Sequence, residues 1–183
     1  MRVRPDSLAS AARKVAEAAH LPWSAVKRAY DALQATDVLP TSRGRSILLA
    51  HPNTIGKLLI AVALNGQDAL AQRVVAFHLA VARGGNRRFR DELNQMLTKA
   101  GAAAAVETIV FEVDVDRVVL TNKSATLIFN ARPKTGVCRL ADSPLIQCRT
   151  VITGDVIRSL QESVRWPAGV GYQSRDGSNV SPL

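Results

Sequence analysis

The chain has 183 residues, 47% of them hydrophobic, which suits one large domain or two small ones and excludes a chain too polar to fold. Aromatic residues are only 4%, so the core must come mainly from Ala, Val, Leu and Ile. The net charge of +9 is uneven: residues 1–101 hold 15 Lys and Arg against 7 Asp and Glu, and residues 102–183 hold 9 against 8. A basic surface confined to one half attracts a polyanion. No apolar run approaches a membrane span, since residues 58–64 are apolar but stop at Asn65-Gly66. Cys138 and Cys148, ten residues apart, match no common metal signature and are too sparse for a secreted disulfide scaffold. Reduced thiols in a cytoplasmic protein are the reading. The start MRVR leads into a polar helix, which predicts no secretory leader.

Residues 1–5 read as a short basic arm. Asp6 or Ser7 caps a first helix running to about His20. In residues 12–31, ARKVAEAAHLPWSAVKRAYD, an apolar stripe passes through Val15, Ala19, Leu21, Val26 and Ala29. Pro22 disfavours helix at Leu21 and so ends the first pattern. Ser24 is the expected N-cap of a second helix that runs to about Thr36. On that helix Ser24, Lys27, Arg28 and Asp31 share one polar, basic face.

This stretch resembles the helix-turn-helix family position by position. Ala16 is the small residue of the first helix, and Val15, Ala19, Leu21, Val26 and Ala29 fall at the packing positions. The DNA-contact positions fall on Pro22, Trp23, Ser24, Lys27 and Arg28, so the resemblance implies duplex DNA as partner. One position departs from the pattern. The turn residue, usually Gly because the backbone there is left-handed, is His20, one of the more tolerated replacements.

Residues 40–50, PTSRGRSILLA, read as a tight turn with a basic tip, then a short apolar strand over residues 47–49. A helix-turn-helix with such a turn after it resembles the winged variant, which implies Arg43 and Arg45 as backbone contacts beside Gly44. Pro52 opens a core helix that ends at Asn65-Gly66. Residues 68–83 read as a further helix with Leu70, Val74, Phe77 and Val81 on one stripe, ended by Gly84-Gly85. Asn86 is the expected cap of a helix over residues 87–99. Arg87, Arg88 and Arg90 at that helix start form a candidate phosphate contact.

After Gly101 the pattern changes from helical spacing to alternation. Ile109, Phe111, Val113 and Val115 fall on one face of a strand, and Glu112, Asp114 and Asp116 on the other. Further strands are expected at residues 118–121, 125–131, 137–140 and 146–152, with hairpin turns at Asn122-Lys123 and residues 133–136. Thr153 caps a helix over residues 154–164. Trp166 is expected to pin the start of the C-terminal segment onto the sheet or a second subunit, and residues 173–183 read as a mobile tail.

No catalytic constellation emerges. His20, His51 and His78 are scattered, and His78, beside an apolar stripe, reads as a satisfied histidine rather than a ligand. No phosphate-binding glycine motif occurs. The acids of the sheet read as a solvated face. An enzyme is not expected, nor a cofactor or metal.

The expectation is an α+β protein. Residues 1–101 form a helical, helix-turn-helix DNA-binding part. Residues 102–172 form a small antiparallel sheet with one packed helix, for dimerisation or partner binding. Trp23, Ser24, Lys27, Arg28, Arg43, Arg45, Arg87 and Arg88 are the candidate DNA contacts. The order of basic helix-turn-helix, LPTSRGRS, LLIAVAL and TVITGDVIRSLQESV is also similar to activators of alphaproteobacterial prophages and gene transfer agents, of the GafY type. That likeness implies a cytoplasmic, nucleoid-associated transcription activator working with RNA polymerase and a DNA-bending protein. Two alternatives stand beside it: a small terminase subunit of phage DNA packaging, and a basic adaptor that binds an acidic protein.

Overall fold

The computed structural model describes residues 4–42, 46–64, 69–131 and 149–168. The elements are α1 (Leu8–Ala18), α2 (Trp23–Ala35), α3 (Pro52–Ala63), α4 (Leu70–His78), β1 (Val81–Ala82), α5 (Phe89–Thr98), β2 (Val106–Glu112), β3 (Arg117–Asn122), β4 (Thr126–Asn130), β5 (Arg149–Thr153) and α6 (Gly154–Ser163). The class is α+β, with helices first and an antiparallel sheet later. The strand order is β1-β4-β3-β2-β5. Among the described residues no helix is long and apolar enough to cross a membrane. The Asn65-Gly66 stop, both cysteines, the strand expected at residues 137–140 and the tail after residue 172 lie outside the described residues.

Helices α1, α2 and α3 pack on one another pairwise, and α6 packs on α1, α5 and β2. Buried Ala11, Ala12, Val15 and Ala16 line the inner side of α1, and Val26, Ala29 and Leu33 that of α2. Small side chains at these crossings let the backbones approach closely. Both helices end the same way. The amides of His20 and Leu21 bond back to Glu17 and Ala16 at 3.1 and 2.9 Å, and those of Asp37 and Val38 to Gln34 and Leu33 at 3.1 and 2.9 Å. This paired closure needs a left-handed residue just past each helix, here His20 (φ 52°) and Asp37 (φ 56°).

All four phenylalanines of the chain knit the helical half to the sheet. Phe77 of α4 meets Phe111 of β2 edge-on at 5.6 Å, Phe89 of α5 meets Phe111 at 5.9 Å, and Phe89 meets Phe129 of β4 at 5.4 Å. Each is fully buried. Inward Ile109, Phe111, Val118, Leu120, Phe129 and Ile152 complete that seam. The opposite face carries Val151, Val110, Val119 and Ile128, aligned in one row across four strands.

The chain ends of this body are clasped together. The Asp6 carboxylate accepts from Lys14 Nζ at 2.6 Å, Ser10 Oγ at 2.9 Å and the Arg165 amide at 2.8 Å. Burial pushes this carboxyl up, but the bonds outweigh it and hold it below the usual aspartate range. Trp166 pins the chain onto α5, its Nε1 donating to the Leu97 carbonyl at 3.2 Å, rather than onto the sheet.

Several local expectations are corrected. Residues 47–49 form no strand. Leu48 accepts from the Leu8 amide, and the Ala50 amide donates to Asp6, so this backbone braces the start of α1 and leaves Ile47 70% exposed. The helix expected to reach residue 83 stops at His78, because residues 81–82 pair with β4 as β1, and Val81 is exposed. Strand β2 stops at Glu112, and residues 113–115 turn in a short 3-10 helix, so Val115 is exposed and Asp114 and Asp116 share no strand face with Glu112. Glu112 itself is buried, not solvated: Arg117 and Arg149, its neighbours on both flanking strands, pair with it. His78 is buried with its Nε2 unpartnered, not satisfied. Burial, together with the nearby cations Lys57 and Arg90, pushes its imidazole down to about 4 against the opposing pull of Asp91.

Candidate nucleic-acid interface

The site is built on the turn between α1 and α2. His20 occupies the left-handed position that the sequence pattern assigns to it. A non-glycine there costs roughly 1–2 kcal/mol, which the packed helices on either side sustain. Leu21 does not pack beneath the turn as expected. It is 40% exposed, because the left-handed step at His20 swings it outward over a groove. That groove, about 390 Å³, is walled by the turn, the end of α3 and the strand β5.

Ser24 is not the N-cap of α2. Pro22 occupies the cap with extended backbone (φ −63°, ψ 139°) and Trp23 is the first helical residue, so Ser24 lies inside the first turn. No side chain caps this end. The consequence favours the expected face. Ser24, Lys27, Arg28 and Asp31 are all exposed along one side, while Val26, Ala29 and Leu33 hold the other side in the core. Lys27 Nζ lies 2.5 Å from Asp31 Oδ2, an i,i+4 pair with both side chains about half exposed. Trp23 is partly buried against the core rather than projecting freely.

Arg13 of α1, which is not among the contacts expected from sequence, stands beside this face. Its guanidinium carbon lies 4.9 Å from the centre of the Trp23 ring. The signal was present, since Arg13 falls opposite the buried stripe of α1, but only the turn brings it over Trp23.

The remaining candidates divide. Arg43 and Arg45 lie outside the described residues; on either side of them Ser42 Oγ donates to the Ser46 carbonyl at 2.8 Å. Arg87 and Arg88 do not lie within a helix capped by Asn86. They end a short hairpin in which Ala82 bonds to Arg87 and Val81 bridges Arg88, around Gly84 at φ 84°. Arg88 is the extended N-cap of α5, and both arginines are exposed. Arg87 lies 3.7 Å from Glu92, and Arg90 pairs with Asp91 at 3.1 Å. The first turn of α5 thus already carries two acids that offset its positive end.

Among the described residues no group of three His, Cys, Asp or Glu side chains could hold a metal ion. Comparison with family models, with curated proteins and with solved structures finds no match to this chain.

Proposed function

We propose that the chain is a sequence-specific, duplex-DNA-binding transcription regulator that sets the first turns of α2 into the major groove. The observation that carries this reading is the α1–turn–α2 unit itself. Its buried small residues, its left-handed His20 and its exposed Ser24, Lys27 and Arg28 are what a groove-reading helix needs. The exposed side of α2 also carries Ala32 and Ala35, small enough to approach a groove wall. In this reading Lys27 and Arg28 reach base edges, and Arg88, with Arg87, holds phosphates. The finer reading, an activator working with RNA polymerase at phage-type promoters, rests on the sequence likeness alone.

The test is a binding titration on selected and scrambled duplexes over a salt series. Wild-type log affinity should fall with log salt at about −0.9 per phosphate neutralised. Lys27→Ala with Arg28→Ala should erase the preference for the selected sequence while the protein stays folded. Preference that survives this double change would remove α2 from the groove. Binding to acidic proteins but not to DNA would favour the adaptor instead.

A further inference from the structure

We propose that Arg13 is a phosphate-binding group of the same interface, held ready by Trp23, so that α1 grips one backbone phosphate beside the groove that α2 enters. This rests on the duplex-DNA reading and adds to it a residue and a ligand atom class. It also changes the part played by Trp23, from DNA contact to platform.

Arg13 declines the partner closest to hand. Glu17 lies one helical turn further along α1, at the spacing where Arg and Glu pair on a helix surface, and it too is exposed. Other arginines of this chain do take carboxylate partners: Arg158 pairs with Asp155 one turn away on α6, Arg90 with its neighbour Asp91, and Arg117 of β3 with Glu112 of β2. Arg13 pairs with no carboxylate among the described residues and lies over the Trp23 ring instead, well inside the reach of a cation–π contact. The platform is fixed. Trp23 is the first residue of α2, preceded by Pro22 with its restricted φ, and its ring packs partly into the core.

A guanidinium resting on a ring uses its face and leaves the N–H fork free at its edge. That fork matches two oxygens of a phosphodiester. Because the side chain is already ordered, less rotamer freedom is lost when the anion arrives. The hydroxyl and cationic groups of Ser24 and Arg28 come after Trp23 within the next turn and a half of α2. Arg13 therefore sits beside the reading face, where the first helix of such a unit crosses the DNA backbone.

The experiment uses the full chain and a short labelled duplex of mixed sequence, because a phosphate contact acts on any sequence. Arg13→Ala should lower the salt slope by about 0.9, so that between 50 and 200 mM salt it loses about 3.5-fold less affinity than wild type. Trp23→Leu should weaken binding in the wild-type background and have little effect in the Arg13→Ala background. Trp23→Phe, which keeps a smaller ring, should fall between and guards against loss of the fold. A slope unchanged by Arg13→Ala, or losses from the two sites that simply multiply, would overturn the proposal while leaving the DNA reading intact. A wild-type chain that ignores duplex DNA at low salt would overturn the DNA reading itself, and this proposal with it.

Discussion

Replacing Gly154 with alanine should destabilise the fold more than any other glycine substitution among the described residues. Gly154 opens α6 where that helix presses on the first residue of β2. A Cβ built there would lie 1.9 Å from the Val106 carbonyl oxygen and 2.8 Å from its carbon. Relieving this to an ordinary C···O approach of about 3.3 Å requires a shift of roughly 1.4 Å. Neither side can give it cheaply. Val106 pairs with Asn122 of β3 and begins a strand that is flanked on both sides from Thr108 onward, and α6 is wedged against α1 and α5. Overpacking costs about 1–3 kcal/mol where side chains can yield, and here the obstacle is backbone, so about 3 kcal/mol is expected. For a chain of this size that lowers the melting temperature by about 6–12 °C. Thermal unfolding monitored by circular dichroism reads it, with Gly85→Ala as control, since a Cβ at Gly85 meets nothing within 4 Å. A Gly154→Ala melt within about 2 °C of wild type would show that α6 and β2 yield to one another far more easily than their backbone contact implies.

His78 predicts a pH dependence. Its folded value of about 4 lies below the ordinary 6.5, so between these values the unfolded chain binds the extra proton. Stability should fall as pH drops from about 6.5 to 4, by about 3 kcal/mol in all, and His78→Leu should flatten this part of a denaturant-midpoint profile. An unchanged profile in the variant would place the acid sensitivity elsewhere. Arg88→Ala, singly and with Arg87→Ala, should weaken DNA binding equally on selected and scrambled duplexes and reduce the salt slope by about 0.9 per arginine that holds a phosphate. The single Arg87→Ala change should have the smaller effect because Glu92 already shares its charge. A changed sequence preference would contradict the backbone role.

What the sequence could convey depended on whether the cause was local. The change from helical spacing to alternation near Gly101 is a local pattern, and the α+β class came from it. The start of α3 is local too: Pro52 marks it in the sequence, and the paired bonds of His51 and Thr54 close it. The hairpin before α5 escaped the periodicity because part of its cause is distant: Val81 and Ala82 pair locally with Arg88 and Arg87, but they also join the sheet through β4, where Ala82 meets Phe129 and Val81 meets Asn130. That pairing ends α4 early and moves Arg87 and Arg88 off the helix. The phenylalanine ladder is likewise a product of tertiary placement. At the candidate interface, the face of Ser24, Lys27 and Arg28 was legible from period alone, while the left-handed conformation at His20 was implied only by the resemblance to the helix-turn-helix pattern. The outward swing of Leu21 and the meeting of Arg13 with Trp23 were not, since both depend on the angle the turn imposes.

Asp31 separates the two ways Lys27 could serve DNA. The pair Lys27–Asp31 lies on the exposed side of α2, with the two side chains 54% and 52% exposed. Such surface pairs contribute only about 0.3–0.5 kcal/mol, so Asp31→Asn should leave the melting temperature nearly unchanged. Its effect on binding should be larger, because it removes an anion from the face presented to DNA and releases a lysine held at 2.5 Å. If Lys27 reaches a phosphate once released, affinity rises on every sequence and the salt slope steepens by about 0.9. If Lys27 reads a base edge, affinity rises mainly on the selected sequence while the slope holds. Titrations on both duplexes distinguish these outcomes. Weaker binding on all sequences would contradict both, since it would mean that the carboxylate aids the complex, which an anion facing a phosphate backbone cannot do unless this side of α2 points away from it.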